Sequence, residues 1–347
     1  MMTGQKVCVT IVSYNSRRYI GSCLESVLQQ SGAPIEVVVV DNASSDSTRE
    51  ILGRYRHRVR VIYNARNVGF AAAQNQAMAA SASDWVLALN PDVVLLNGFI
   101  SRLLEAGEMD EQVGTVCGKL LSIGPDLQPV EQPRIDSAGM YFTPAARHFD
   151  RGWHEPDDGR FEQMEYVFGA SAAAALYRRR MIDDIAEGAD FFDPDFFVYR
   201  EDADVAWRAQ LLGWRAIYTP GAVAWHVRSV LPGNRLAVPA AINMHSVKNR
   251  FLMRIKNMTP DLYRRYWLAV TMRDALVLGG CLVWEQTSLP AFWQLAKCLR
   301  RALRHRRNIM RRRRATDEDL ARWFSGEAVA QPVTEVAVPA HYDRAPA

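Results

Sequence analysis

The chain has no Cys-x-x-Cys pair. Its five cysteines, Cys8, Cys23, Cys117, Cys281 and Cys298, are scattered over 347 residues, which argues against a zinc knuckle or a disulfide framework and fits a reducing compartment. There is also no Gly-x-Gly-x-x-Gly turn after the first apolar run, where "SYNSRRYIG" stands instead. The pyrophosphate cradle of a dinucleotide-dependent oxidoreductase is therefore missing. Long uncharged runs are lacking too: "ALVLGGCLVW" (275–284) has ten residues, about half of what a spanning helix needs. The opening "MMTGQKVCVTIV" carries one lysine and too short an apolar run for a secretory signal, so a cytoplasmic catalytic part is expected. Finally, acids are absent between Glu285 and Asp317, where Lys297 and nine arginines fall. The whole-chain net charge of +4 is thus a local feature of that interval, and the remainder is net acidic. Nucleic-acid binding by the whole domain is not implied.

What is present begins with a regular alternation. "KVCVTIV" (6–12), "IEVVVV" (35–40), "VRVIY" (59–63) and "DWVLAL" (84–89) are short, nearly continuous apolar runs, the mark of strands covered on both faces. Between them Ile20, Leu24, Val27 and Leu28 recur at helical spacing, and "FAAAQNQAMAA" (70–80) is rich in helix formers. This pattern predicts an α/β fold with a mostly parallel sheet, because parallel neighbours need crossover connections. From about 113 to 180 antiparallel strands and a small helix are expected. A helix is then predicted from about Glu201 to Leu212, followed by a short strand ending near Trp225 and His226.

Ligands of such sheets bind at the carboxyl ends of the strands. Those ends read "SYNS" (13–16), "DNASSDST" (41–48), "NARNVGF" (64–70) and "NPD" (90–92), four polar turns on one edge. Each of their residues has a plain reading as well as a functional one. Asp92 after Asn90-Pro91 can initiate a turn or offer a hard oxygen to a cation. Asp41 can be an Asx cap or a binding group. Glu201, Asp202 and Asp204 crowd a helix start, where the dipole favours acids, but that helix is entered through "FFDPDFFVY", an aromatic wall that would raise a carboxylate's pKa. His226, flanked by Trp225, can be a packed core residue or a ligand.

The blocks "VTIVSYN", "VVVVDNASSDST", "NVGFAAAQN", "LNPDV", "FFDPDFFVYREDADVAWR" and "AWH", taken in that order, resemble the inverting nucleotide-sugar transferases of glycosyltransferase family 2, in particular the rhamnosyltransferase-like branch. The likeness spans roughly residues 6 to 228, and the combination is far more specific than any one block. It implies a GT-A fold, a nucleotide-diphosphate sugar donor (dTDP- or UDP-linked, with dTDP-rhamnose favoured), a divalent cation such as Mg²⁺ or Mn²⁺, and a lipid-linked or other glycan acceptor. By that resemblance Asp202 is the catalytic base, with Glu201 and Asp204 as supporting groups. Ser13, Tyr14, Asn15, Asp41, Asn42, Arg66, Asn67, Gly69, Asn75 and Asn90 fall on the donor nucleotide. Asp92 falls on the metal, and His226 stands where some relatives place a metal-bound histidine. The small-residue stretch "FGASAAAALY" (168–177) resembles the family's acceptor loop at Gly169, Ala170 and Ser171, and tight packing of a helix start would explain it equally. A processive synthase is disfavoured, since a Gln-x-x-Arg-Trp block is missing.

These motifs divide the chain into a catalytic domain over 1–230, with a nucleotide half to about 112 and an acceptor half beyond. A helical, basic and aromatic region over 231–325 and a disordered Pro- and Ala-rich tail over 326–347 follow. Trp267, Trp284, Phe292 and Trp293 beside "RRALRHRRNIMRRRR" (300–314) suggest that residues 260–314 lie on the inner face of a membrane, aromatics at headgroup depth and arginines on anionic lipid. A solvated tail is the plain alternative, and oligomeric state stays open.

Overall fold

The structure is a computed structural model that describes residues 4–128, 131–228, 240–325 and 330–333. The first part alternates as expected: β1 (Val7–Ser13), α1 (Ile20–Leu28), β2 (Ile35–Asp41), α2 (Thr48–Arg54), β3 (Arg60–Tyr63), α3 (Phe70–Ala79) and β4 (Trp85–Leu89). Every residue of β1 and β4 is buried, which is why these runs are apolar without alternation. β1 pairs in parallel with β2 and β4, and β2 with β3. The four strand ends therefore fall on one edge.

The second part is built differently. β5 (Val93–Leu95), α4 (Phe99–Gly107), β6 (Val113–Ser122), β7 (Ile135–Ser137), β8 (Met140–Phe142), β9 (His148–Asp150), β10 (Glu165–Val167), β11 (Ala174–Arg178), α5 (Arg179–Ile185), α6 (Glu201–Leu211) and β12 (Arg215–His226) follow. β11 lies antiparallel between β4 and β6, and joins this part to the parallel half. β12 has twelve residues, far from the short strand expected, because it runs along β6 through an irregular register between Thr219 and Val223. Its far end pairs with β5, placing His226 opposite Val93, one residue past Asp92.

α7 (Ala240–Asn257), α8 (Pro260–Val283), α9 (Pro290–Arg312) and α10 (Asp317–Ala321) complete the helices. They are not a separate appendage. Lys256, fully buried, donates to Asp193 at 2.7 Å and Asp204 at 2.9 Å. Asn249 Nδ2 lies 2.8 Å from the carbonyl oxygens of Phe196, Val198 and Tyr199. Trp323 and Phe324 sit in the main core, Phe324 against Phe142 and Trp207. Burying each such aromatic is worth roughly 1.5–3 kcal/mol, so the catalytic half and the helices share one core. The arginine run also departs from expectation. Arg301 binds Asp193 and Asp195, while Arg312 and Arg314 bind Asp184. Lys297, Arg300, Arg304, Arg307 and Arg311 remain exposed.

The apolar stretch 275–284 belongs to α8, whose 24 residues make it, among the described residues, the one helix long and apolar enough to cross a membrane by length and composition alone. The expectation of too short a segment is corrected to that extent, because α8 continues N-terminally past Trp267 to Pro260, with a kink at Tyr266 (φ −118°, ψ 18°). Trp267, Leu276, Leu282, Trp284 and Trp293 are exposed. Within the expected disordered tail, Gln331–Pro332 forms β13, an edge strand on Glu165 and Tyr166 of β10. Residues 326–329 and 334–347 of that tail, and the expected boundary near 230, lie outside the described residues.

Candidate active site

The donor-side turns are knit by side chains. Asp41, at the end of β2 and fully buried, accepts from Arg49 Nε at 2.7 Å, from the Ser44 amide at 3.3 Å and from Ser13 Oγ at 3.4 Å. Asn42 donates to Asn67 Oδ1 at 2.8 Å and accepts from the Val68 amide at 3.0 Å. Asn15 has a φ of 51° and accepts from the Ser45 amide at 2.8 Å. Short polar side chains satisfy neighbouring backbone here as an Asx turn does. Ser13, Asn15, Asp41, Asn42, Asn67 and Gly69 are thus brought together, with Tyr14 and Arg66 exposed at the rim. Arg49, which also lies over the Tyr63 ring, was not foreseen in the sequence.

Asn75 is not brought together with them. Its side chain bridges to Asp190 at 3.1 Å and to the Phe192 backbone at 2.7 and 2.9 Å. This tie, which a helix pattern does not reveal, fastens α3 to the loop ahead of α6. Gly69 serves the same loop. Its φ is 88°, and a Cβ there would lie 2.7 Å from the Phe197 carbonyl oxygen. Phe197, Tyr199 and Arg200 all have positive φ, strain of the kind that collects at functional sites.

A cavity of about 720 Å³ is lined, of the residues expected on the donor nucleotide, by Asn90 but not by Ser13, Tyr14, Asn15, Asp41, Asn42, Arg66, Asn67, Gly69 or Asn75. Asn90, Asp92, Ser171, Ala172, Ala173, Glu201, Asp202 and His226 all line it. Of the expected acceptor loop only Ser171 reaches it. Gly169 and Ala170 are buried behind, where a Cβ on Gly169 would come within 2.3 Å of Ala206; the small residues there serve packing against α6. Asp204 is likewise turned away, fully buried against Arg208 at 2.8 Å, Lys256 and Asn257. Burial opposes its charge, but Lys256 and Arg208 outweigh that and hold its carboxyl low. It anchors α6 and does not line the cavity.

Glu201 and Asp202 have opposite fates. Asp202 accepts from the Ala203 amide at 2.7 Å and the Ala172 amide at 3.3 Å. Burial, then the charge of Asp150, pushes it up to about 6. Glu201 Oε2 is buried without a hydrogen-bond partner, and burial together with Asp202 pushes it up to about 8. Two amides favour the ionised form of Asp202. Asp202 is therefore the more acidic of the pair, and Glu201 the one that more readily holds a proton.

Across the cavity lining, Asp92 Oδ1 is buried without a hydrogen-bond partner and stands 3.5 Å from His226 Nε2. His226 Nδ1 is 2.7 Å from Asp136 Oδ2, and Asp136 is held by Arg228, which also binds Asp150 at 2.6 Å. Burial works against a charged imidazole, but Asp136 and then Asp92 outweigh it and raise His226 to about 9. While protonated, His226 pairs with Asp92 and cannot ligate; loss of the Nε2 proton to an incoming cation would leave Nε2 and Asp92 Oδ1 as a donor set that suits a divalent ion, with Asp136 orienting the ring from behind. No third His, Cys, Asp or Glu joins them among the described residues, so further ligands would be phosphate oxygens or water. Asp136 was missed because "IDSAG" has no local signal; only the β6–β7 pairing brings it to His226.

Comparison with known proteins follows the same lines. The family model described as Glycosyl transferase family 2 matches residues 8–186. An N-acetylglucosaminyl-diphospho-decaprenol L-rhamnosyltransferase of Mycobacterium tuberculosis (strain ATCC 25618 / H37Rv) is 27% identical over 295 residues, covering 79% of this chain and 92% of that protein. Among solved structures, GalNAc-T7 with UDP, GalNAc and Mn²⁺ superposes with a TM-score of 0.58 at 13% identity, covering 85% of this chain but only 57% of that one. A mannosyltransferase from Pyrobaculum calidifontis in complex with GDP-Man and Mn²⁺ gives 0.51 at 17% identity, covering 89% and 86%.

Proposed function

The chain belongs to glycosyl transferase family 2, has its GT-A fold and is a glycosyltransferase, and from that premise we propose that it moves one sugar, L-rhamnose from dTDP-rhamnose, onto a lipid-linked glycan of the cell envelope with inversion at the anomeric carbon. The observation that carries this reading is the cavity on which Asp202 and the Asp92–His226 pair converge from different strands and helices. The rhamnosyltransferase named above supports the donor and the acceptor class.

Asp202 takes the proton of the acceptor hydroxyl as that oxygen bonds to the anomeric carbon. The bond from that carbon to the donor diphosphate breaks, and its electron pair leaves with the diphosphate. Glu201, while it holds its proton, adds no second charge beside the base. Asp92 and His226 would hold a divalent cation, which when bound neutralises charge on the diphosphate. Asp41, Asn42 and Asn67 shape the nucleotide end, and Asn90 is a neutral contact beside Asp92. The exposed face of α8 and α9, with Trp267, Trp284, Trp293 and the cations from Lys297 to Arg311, rests on the inner face of the membrane, where a lipid-linked acceptor is presented.

Incubation with Mg²⁺ or Mn²⁺, a panel of nucleotide sugars and lipid-linked acceptors tests the reading. Transfer from dTDP-rhamnose is expected. Transfer from a UDP-hexose alone would overturn the donor, and metal-independent nucleotide binding without turnover would mark an inactive binding protein.

A further inference from the structure

The mechanism leaves one striking concentration of charge on the cavity wall unused. Arg147 from the β8–β9 turn, Arg200 at the entry to α6, Arg250 of α7 and Arg273 of α8 all line the cavity that holds Asp202. Their mutual closeness shows in their neighbours. Arg200 reaches His148 Nδ1 at 3.2 Å and the Ser246 carbonyl oxygen at 3.3 Å. His148 is held well below its usual value by burial and then by Arg200, Arg250 and Arg147. Arg250 is only 6% exposed, and burial together with Arg200, Arg273 and Arg147 pushes it down.

Two neighbouring carboxylates are engaged by other arginines. Asp150 is bound by Arg228, and Asp274 by Arg254 at 2.6 Å. No carboxylate among the described residues pairs with Arg250 or Arg273, and Arg273 Nε is buried without a hydrogen-bond partner. Four guanidinium groups gathered in a half-enclosed site repel one another, and the arrangement is relieved by an anion with several oxygens. Arginine is the side chain suited to such an anion, since its planar fork matches phosphate oxygens two at a time.

We propose that this cluster is a second anion subsite, which takes the diphosphate of a polyprenyl-diphosphate-linked acceptor. The proposal rests on the reading of the preceding section and names the acceptor chemistry of the same site. The donor diphosphate has its own place at Asp92 and His226. The arginines come in equal part from the catalytic half and from the C-terminal helices, and α8 carries, beside Arg273, the exposed apolar side chains Met272 and Leu276. A diphosphate at Arg273 thus has its sugar directed into the cavity toward Asp202 and its prenyl chain along the apolar face of α8. This explains why the helices are built into the catalytic core.

Binding of geranylgeranyl diphosphate in neutral detergent, followed by calorimetry, tests this without requiring transfer. The full chain is expected to bind it and to bind geranylgeraniol far more weakly. Arg273→Gln and Arg250→Gln should each weaken diphosphate binding about tenfold or more, the scale of a lost charged hydrogen bond, and Arg273→Lys should recover part of it. Arg273 is half-buried, and its Gln variant should keep the wild-type thermal unfolding midpoint, so the test survives if Arg250→Gln misfolds. Unchanged diphosphate binding in Arg273→Gln would overturn the proposal. So would an equal loss of Mn²⁺-dependent dTDP binding, which would assign the cluster to the donor, or an equal loss of binding to phosphatidylglycerol vesicles, which would make it a general lipid-headgroup surface. If the diphosphate binds as expected and no nucleotide sugar supports transfer, the subsite stands and the reading it rests on fails.

Discussion

The strand-end turns proposed for the donor and the α6 wall of the cavity proposed for the acceptor are built by different means. On the donor side, Asp41, Asn42, Asn15 and Asn67 lie in turns that immediately follow short parallel strands, and they are satisfied by one another and by adjacent backbone. On the acceptor side, α6 is set by charges that come from far along the chain. Asp204 and Asp193 are neutralised by Lys256, and Asp193 also by Arg301, more than fifty and a hundred residues away respectively. The strand-end turns are local architecture; α6, which carries the proposed base Asp202, is held by a long-range clamp. The lesson is that the helices after residue 240 hold α6 in place, so that the proposed acceptor side depends on them.

That contrast can be broken in steps of decreasing size. Asp202→Asn should lower kcat roughly 10²–10⁴-fold, the usual contribution of a positioned general base, with the nucleotide still bound; a rate within a few-fold of wild type would remove Asp202 from its role. Lys256→Met leaves Asp193 and Asp204 buried with less compensation, and breaking a buried ion pair costs about 3–5 kcal/mol. Denaturant unfolding should show that loss, whereas Arg49→Met, which removes a half-exposed cation and leaves buried Asp41 with the Ser44 amide and the Ser13 hydroxyl, should cost less, about 1–2 kcal/mol. Equal losses would erase the distinction between clamp and turn.

A pH series bears on the base alone. Asp202 is raised to about 6, so the active carboxylate is present above that value and is protonated below it. The rate should therefore fall about tenfold per pH unit well below 6 and level off between about 6 and 8, above which Glu201 begins to lose its proton. The smallest effect belongs to the donor side. Asn90 lines the cavity but none of the donor-side hydrogen bonds runs through its side chain, so Asn90→Asp should change kcat/KM by no more than about threefold, under about 1 kcal/mol.

The same division explains what could be read from the sequence. The parallel strands announced themselves as "IEVVVV" and "DWVLAL", because burial on both faces leaves unbroken apolar runs, and of their polar ends the turn after β4 reaches the cavity through Asn90 and Asp92. Asp92 and His226 could be named from motif context. Asp136 and the buried arginines could not, since Asp136 meets His226 across ninety residues and only sheet pairing creates that contact. Gly169 and Ala170 look like a binding loop in sequence because small residues suit both a loop and a tight helix contact. The arginine run read as one surface, but Arg301 pairs with Asp193 in the loop before α6, and Arg312 and Arg314 with Asp184 of α5.

The central claim is that cation and donor are held by one set of residues and the proton by another. Calorimetric titration of dTDP with Mn²⁺ into the Asp202→Asn variant tests it most directly. The account predicts the wild-type Mn²⁺-dependent affinity, with the same variant inactive in transfer and Asp92→Ala losing the metal dependence. Loss of Mn²⁺-dependent binding in Asp202→Asn would contradict it, because Asp202 would then be part of the donor site.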